Sequence, residues 1–72
     1  MTKEEKRKAT TAAVAQLIRE ARAKRGWSLY HLAKESGISV GHLVRIERGD
    51  VAVRVDVLCD ILQPLGCRFV IE

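Results

Sequence analysis

Two stretches of this chain are written in one grammar. Trp27-Ser28-Leu29-Tyr30-His31-Leu32 and Ile38-Ser39-Val40-Gly41-His42-Leu43 each place an apolar residue before a serine and a leucine four positions after it. A serine so placed accepts a hydrogen bond from an orphan backbone N–H, and the flanking apolar pair closes over the first turn as a staple. The pattern predicts helices opening at Ser28 and Ser39. Gly37 readily adopts the left-handed conformation that ends a helix and redirects the chain, so the first helix reaches only about Ser36. Leu29, Leu32, Ala33, Ile38, Leu43 and Ile46 supply the seam between the two, and the small Ala33 lets them cross closely. Two short helices on a tight turn form a helix-turn-helix unit.

What surrounds the unit is mostly helical. Val14, Leu17, Ile18 and Ala21 repeat at i, i+3, i+4, i+7, which predicts an amphipathic helix over Ala12 to Lys24, stopped at Gly26 with cations in its last turn. Its start is open: Thr2-Lys3-Glu4-Glu5 reads as a capping box, and Thr10 or Thr11 reads as a later cap. We place the ordered start near Thr10, with a helical but frayed extension before it. Val55, Leu58, Ile61 and Leu62 predict a further helix over about 54 to 63, ended by Pro64 and Gly66, with no good capping residue before it. Cys67-Arg68-Phe69-Val70-Ile71-Glu72 reads as a strand, rich in β-branched and aromatic residues. The expected fold is all-α, four to five helices with a short C-terminal β-strand. It divides into a basic, flexible arm over 1–9, the helical domain over 10–66 and the strand over 67–72.

Seventy-two residues hold one small core, which buries only about 60% of the surface the unfolded chain exposes, so a partner subunit is expected. A lone strand needs a partner as well, and the simplest is the same tail from a second copy, paired antiparallel about Val70 through Cys67, Arg68, Phe69, Val70 and Ile71. The alternative is an irregular C-terminal segment. Cys59 and Cys67 read as small buried hydrophobes, and with His31 and His42 they form no metal-ligand spacing, so neither a metal nor a cofactor is expected. No apolar run is long enough to span a membrane and the first residues lack a signal peptide's apolar stretch, so the expected location is the cytoplasm. No nucleophile–base pair, glycine-rich phosphate loop or metal set is present, so catalysis is not expected.

Charge is unevenly placed. Of 13 Lys/Arg, all but Arg68 lie at or before Arg54, whereas three of the 9 acidic residues, Asp56, Asp60 and Glu72, follow it. A basic front and an acidic end suit a polyanion at one side of the domain. With Leu43 and Ile46 turned inward, Val40, Gly41, Val44 and Arg45 look outward and His42 sits at the border. Ser28, Tyr30, Ser39, His42 and Arg48 are candidates for phosphate contact, and Lys3, Lys6, Arg7 and Lys8 read either as a solvated tail or as an arm along the backbone of a nucleic acid.

Leu17-Ile18-Arg19-Glu20-Ala21-Arg22, followed by Trp27 through Gly49 with its Leu32-Ala33 and Ile46-Glu47-Arg48-Gly49, resembles the Xre helix-turn-helix family of phage Cro and lambda-type repressors over about residues 14 to 66. Asp60-Ile61-Leu62-Gln63-Pro64-Leu65-Gly66 ahead of a strand resembles the Hip-type antitoxin branch, whose members pair C-terminal strands as dimers. The resemblance implies a lambda-repressor-like DNA-binding domain whose second motif helix lies in the major groove, with positions 40, 41 and 45 at base edges. It also implies an ion pair between Arg22 and Glu47. The chain departs from the family at Leu29, where a glutamine often meets the DNA backbone, and at Gly41, where a polar base-reading side chain is common. It departs again at Val53-Arg54 and at Pro64. The expected function is a homodimeric, sequence-specific repressor, and the Hip-type resemblance narrows it to an antitoxin acting on its own operon. The alternative is a protein-binding module, for a toxin or as a bridge, that uses the same helices as a scaffold.

Overall fold

The computed structural model describes residues 2–67, and within them the chain forms four helices and no strand. Helix α1 spans Lys3–Arg25, α2 Leu29–Ser36, α3 Val40–Arg48 and α4 Val55–Leu62. The strand expected over 67–72 lies outside the described residues apart from Cys67, whose N–H closes a turn onto the Leu62 carbonyl at 3.0 Å.

The two motif helices are bounded by local chemistry. Ser28 Oγ accepts from the His31 N–H at 3.0 Å and Ser39 Oγ from the His42 N–H at 3.1 Å. Gly37 ends α2 at φ 71°, and Ile38 N–H reaches back to the Ala33 carbonyl at 3.1 Å, which satisfies the last carbonyls while turning the chain into α3. α4 begins after Arg54, which gives it no side-chain cap.

α1 differs from expectation at its start and on its face. It begins at Lys3 rather than near Thr10, because Thr2 Oγ1 accepts from the Glu5 N–H at 3.1 Å and acidic Glu4 and Glu5 occupy the positive end of the helix. The first-turn cap thus adds two turns of helix over the stretch assigned to an arm. The buried face also lies off the expected stripe. Ile18 and Ala15 are buried, Val14 and Ala21 half-buried, and Leu17 is 50% exposed. With many alanines, α1 has apolar surface on two adjoining sides, and the small Ala15 rather than Leu17 fits against α3.

Ile18, Leu32, Leu43, Ile46 and Ile61 are the largest fully buried side chains, joined by Ala33, Leu58, Leu62 and Leu65. At about 1.5–3 kcal/mol for each large aliphatic, this cluster outweighs the surface polar contacts, worth about 1 kcal/mol apiece. It packs α1 against α3, α3 against α2, and α2 against α4. Cys59 is exposed and Cys67 half-buried, and both thiols are free. Cys59 is therefore not core: Leu58, Ile61 and Leu62 take the inner face of α4 and turn residue 59 outward.

Candidate nucleic-acid interface

α3 owes its orientation to α1. Glu47, in its last turn, is buried at 6% exposure, and its carboxylate meets the Arg22 guanidinium through two bonds, Nε to Oε2 and Nη2 to Oε1, both 2.9 Å. The same guanidinium donates from Nη1 to the Trp27 carbonyl at 3.0 Å, so one arginine ties α1 to both the start of α2 and the end of α3. Arg19 adds a bond the sequence reading did not foresee, from Nη1 to the Glu47 backbone carbonyl. Its signal was present: Arg19 precedes Arg22 by three positions, one turn along the same side of a helix. A planar guanidinium paired side-on with a carboxylate fixes direction as well as distance. Gly49, left-handed at φ 77°, then ends α3 close above α1: a Cβ there would lie 3.9 Å from Ala12 Cα and Ala15 Cβ.

With Leu43, Ile46 and Glu47 turned inward, residues 40, 41, 44, 45 and 48 share the other side of α3. Gly41, Arg45 and Arg48 are exposed, Val44 is half-buried, and Val40 leans on the core. Nothing lies within 4 Å of where a Gly41 Cβ would stand, so the backbone is open to approach there. His42 is exposed beside this surface. The only acidic side chain within α3 is the one that Arg22 neutralises, so every charge on the outward side is positive.

Ser28 and Ser39 spend their hydroxyl acceptors on capping. The N–H groups of the residues just after each serine have no partner within their helix, as at any helix start, and they point where an anion is favoured. Tyr30 is 71% exposed at the opening of α2. Lys3, Arg7 and Lys8 flank the loop Gly49–Ala52 that follows α3, bordering a cleft shared with Glu4 and Asp50. Among the described residues these lysines and Arg7 take part in no ion pair, and no group of three or more potential metal ligands occurs. No helix of the described residues is long and apolar enough to cross a membrane. Of the residues assigned to dimerisation, Cys67 sits half-buried at the end of the turn after α4; Arg68, Phe69, Val70 and Ile71 lie outside the described residues.

A family model described as helix-turn-helix matches residues 18–71. No curated protein and no solved structure matches the chain. The match covers α2, α3, α4 and the last third of α1, including the Arg22–Glu47 pair and the whole cationic side of α3. The chain belongs to the helix-turn-helix family of the Xre, Cro and lambda-repressor type, and is a DNA-binding domain of that kind.

Proposed function

We propose that this chain is a transcriptional repressor that recognises an inverted-repeat operator as a homodimer, each copy inserting α3 into the major groove, and that it carries no catalytic activity. The observation that supports this most is the outward side of α3, which is cationic, exposed at Gly41, Arg45 and Arg48 among the described residues, and held at a fixed angle by two arginines of α1. In this reading Arg45 bonds two acceptors of a guanine, Val44 and Val40 touch thymine methyls, and Gly41 brings the backbone close to the bases. Ser28, Tyr30, Ser39, His42 and Arg48 set the register on phosphates, which carry no sequence information. Residues 67–71 join the two copies, and two-fold symmetry then spaces the half-sites about 10 bp apart, or a multiple of that. The Asp60–Gly66 resemblance extends the reading to an antitoxin that represses its own operon, with a toxin as its protein partner.

The test is selection of bound sequences from a random DNA pool, followed by titration of the winner at several salt concentrations. A palindromic winner, steep loss of affinity with salt and relaxed preference in Arg45→Ala are the expected results. Absent or salt-insensitive binding replaces this function with that of a protein-binding scaffold.

A further inference from the structure

The outward side of α3 carries few kinds of chemistry. Residues 40, 41, 44, 45 and 48 are Val, Gly, Val, Arg and Arg, so the side chains that form hydrogen bonds there are two guanidiniums, which donate and never accept. The backbone groups left open at the start of α3 are N–H groups, donors again. Ser39 Oγ already accepts from the His42 N–H at 3.1 Å, and Glu47, the one carboxylate of α3, faces inward onto Arg22. His42, exposed at the border, is the remaining side chain with an acceptor nitrogen.

In the major groove adenine and cytosine are each marked by an amino group, which needs an acceptor, and guanine by two acceptors side by side. A face of donors therefore reads guanine through hydrogen bonds and leaves the other bases to apolar contact. The groove offers one apolar group, the methyl on C5 of thymine. α3 has a surface to match it. Val40 and Val44 lie one turn apart and half-buried at one edge of the outward side, with branched side chains that hold one rotamer. Gly41 stands beside them, and open space surrounds the place of its missing side chain. The two valines and the glycine form a shallow apolar notch, with Arg45 one turn beyond Gly41.

We propose that this notch makes α3 a reader of the C5-methyl group itself. Beside the guanine held by Arg45 it takes a pyrimidine that carries the methyl, thymine or 5-methylcytosine alike, and disfavours uracil and unmethylated cytosine. Burying one methyl against the valines is worth about a fourfold gain in affinity. Val44 and Arg45 are consecutive, with Cα atoms about 3.8 Å apart, and base pairs stack about 3.4 Å apart, so methyl and guanine belong to neighbouring pairs. Methylation of a cytosine at that step then strengthens binding instead of blocking it. The inference rests on the placement of α3 in the major groove proposed above and narrows what the helix reads there.

The test titrates the full chain with the duplex selected from the random pool and with copies in which each thymine in turn becomes uracil, cytosine or 5-methylcytosine, the last two paired with guanine. The expected result is a loss of about fourfold on uracil at one or two positions per half-site, each next to a guanine, and a gain of about fourfold from cytosine to 5-methylcytosine at the same positions. Val44→Ala should bring the thymine-to-uracil ratio close to one. Because each ratio is taken on one protein, a general loss of stability in the variant does not imitate that result. Equal binding of thymine and uracil at every position, or a selected duplex with no thymine next to a guanine, overturns the proposal and leaves the DNA-binding function standing. A preference for thymine over uracil with cytosine and 5-methylcytosine bound alike overturns the extension to methylated DNA. Absence of any DNA binding overturns the function and this inference together.

Discussion

α2 and α3 open alike eleven residues apart, and two of the positions at which they differ bear on what each can meet. Each opens on a serine bonded to the backbone three residues on, is followed by a histidine and a buried leucine at the same offsets, and ends on a left-handed glycine. At the eighth position after the serine, α2 carries Ser36 and α3 carries Glu47. At the sixth, α2 carries Lys34 and α3 carries Arg45. Ser36 Oγ is buried without a hydrogen-bond partner, whereas the Glu47 carboxylate is met by Arg22. Outside, α2 balances Lys34 against Glu35, which lies 3.8 Å from His31, while the exposed Lys, Arg, Asp and Glu side chains of α3 are Arg45 and Arg48 alone. Helix grammar therefore builds both, and it does not say which one meets DNA. What separates them is the placement of a single acid: turned inward and neutralised, it leaves α3 with a one-signed outer side, which is why the proposed reading gives α3 to DNA.

The largest test of this contrast is removal of that acid. Glu47→Ala leaves Arg22 unpaired and should cost about 3 kcal/mol in thermal or denaturant unfolding, near the low end for a broken buried pair because the arginine side chain is 25% exposed. Glu35→Ala, which breaks an exposed contact on α2, should stay within about 0.5 kcal/mol. Equal losses would erase the distinction between the two helices. Arg45→Ala should cost about 1–3 kcal/mol of discrimination at one or two base positions with an unchanged melting temperature, while Lys34→Ala leaves sequence preference intact. A binding-site selection on each variant reads this directly. Ser28→Ala and Ser39→Ala should each destabilise by about 1 kcal/mol in urea unfolding, since the caps are alike. Markedly unequal losses would show that the two helices are built differently after all. Opposite in sign, Ser36→Ala should leave stability unchanged or raise it by up to about 1 kcal/mol, because it removes a buried hydroxyl that bonds to nothing.

Local signals were legible wherever one residue type has one physical role. The two serines and Gly37 bounded the motif helices, and Gly26 ended the first helix, because capping and left-handed turns have few solutions. The inward turn of Leu43 and Ile46 followed from helical spacing, and that spacing also left Val44 and Arg45 outside. Two features could not be read this way. In α1, Ala9, Ala12, Ala13, Ala15, Ala21 and Ala23 blur the apolar stripe, so periodicity chose Leu17 where packing chose Ala15. Alanine fits an inner or an outer side almost equally, and only the shape of the neighbouring helix decides. Spacing puts Arg19 on the same side of α1 as Arg22, but its acceptor is a backbone carbonyl 28 residues away, which residue types do not mark. Cys59 followed the same logic: a residue one step from Leu58 points a quarter-turn or more from the core, whatever its own hydropathy.

Trp27 is the sole tryptophan, and its ring lies 4.4 Å from that of His31, with the Arg25 guanidinium 5.5 Å from its centre and its own carbonyl held by Arg22. Intrinsic fluorescence of this protein is consequently a gauge of a single joint, where the first helix hands over to the second. An emission change on adding operator would signal strain passed back into that joint, and a silent indole alongside tight binding would mean the scaffold arrives ready-made.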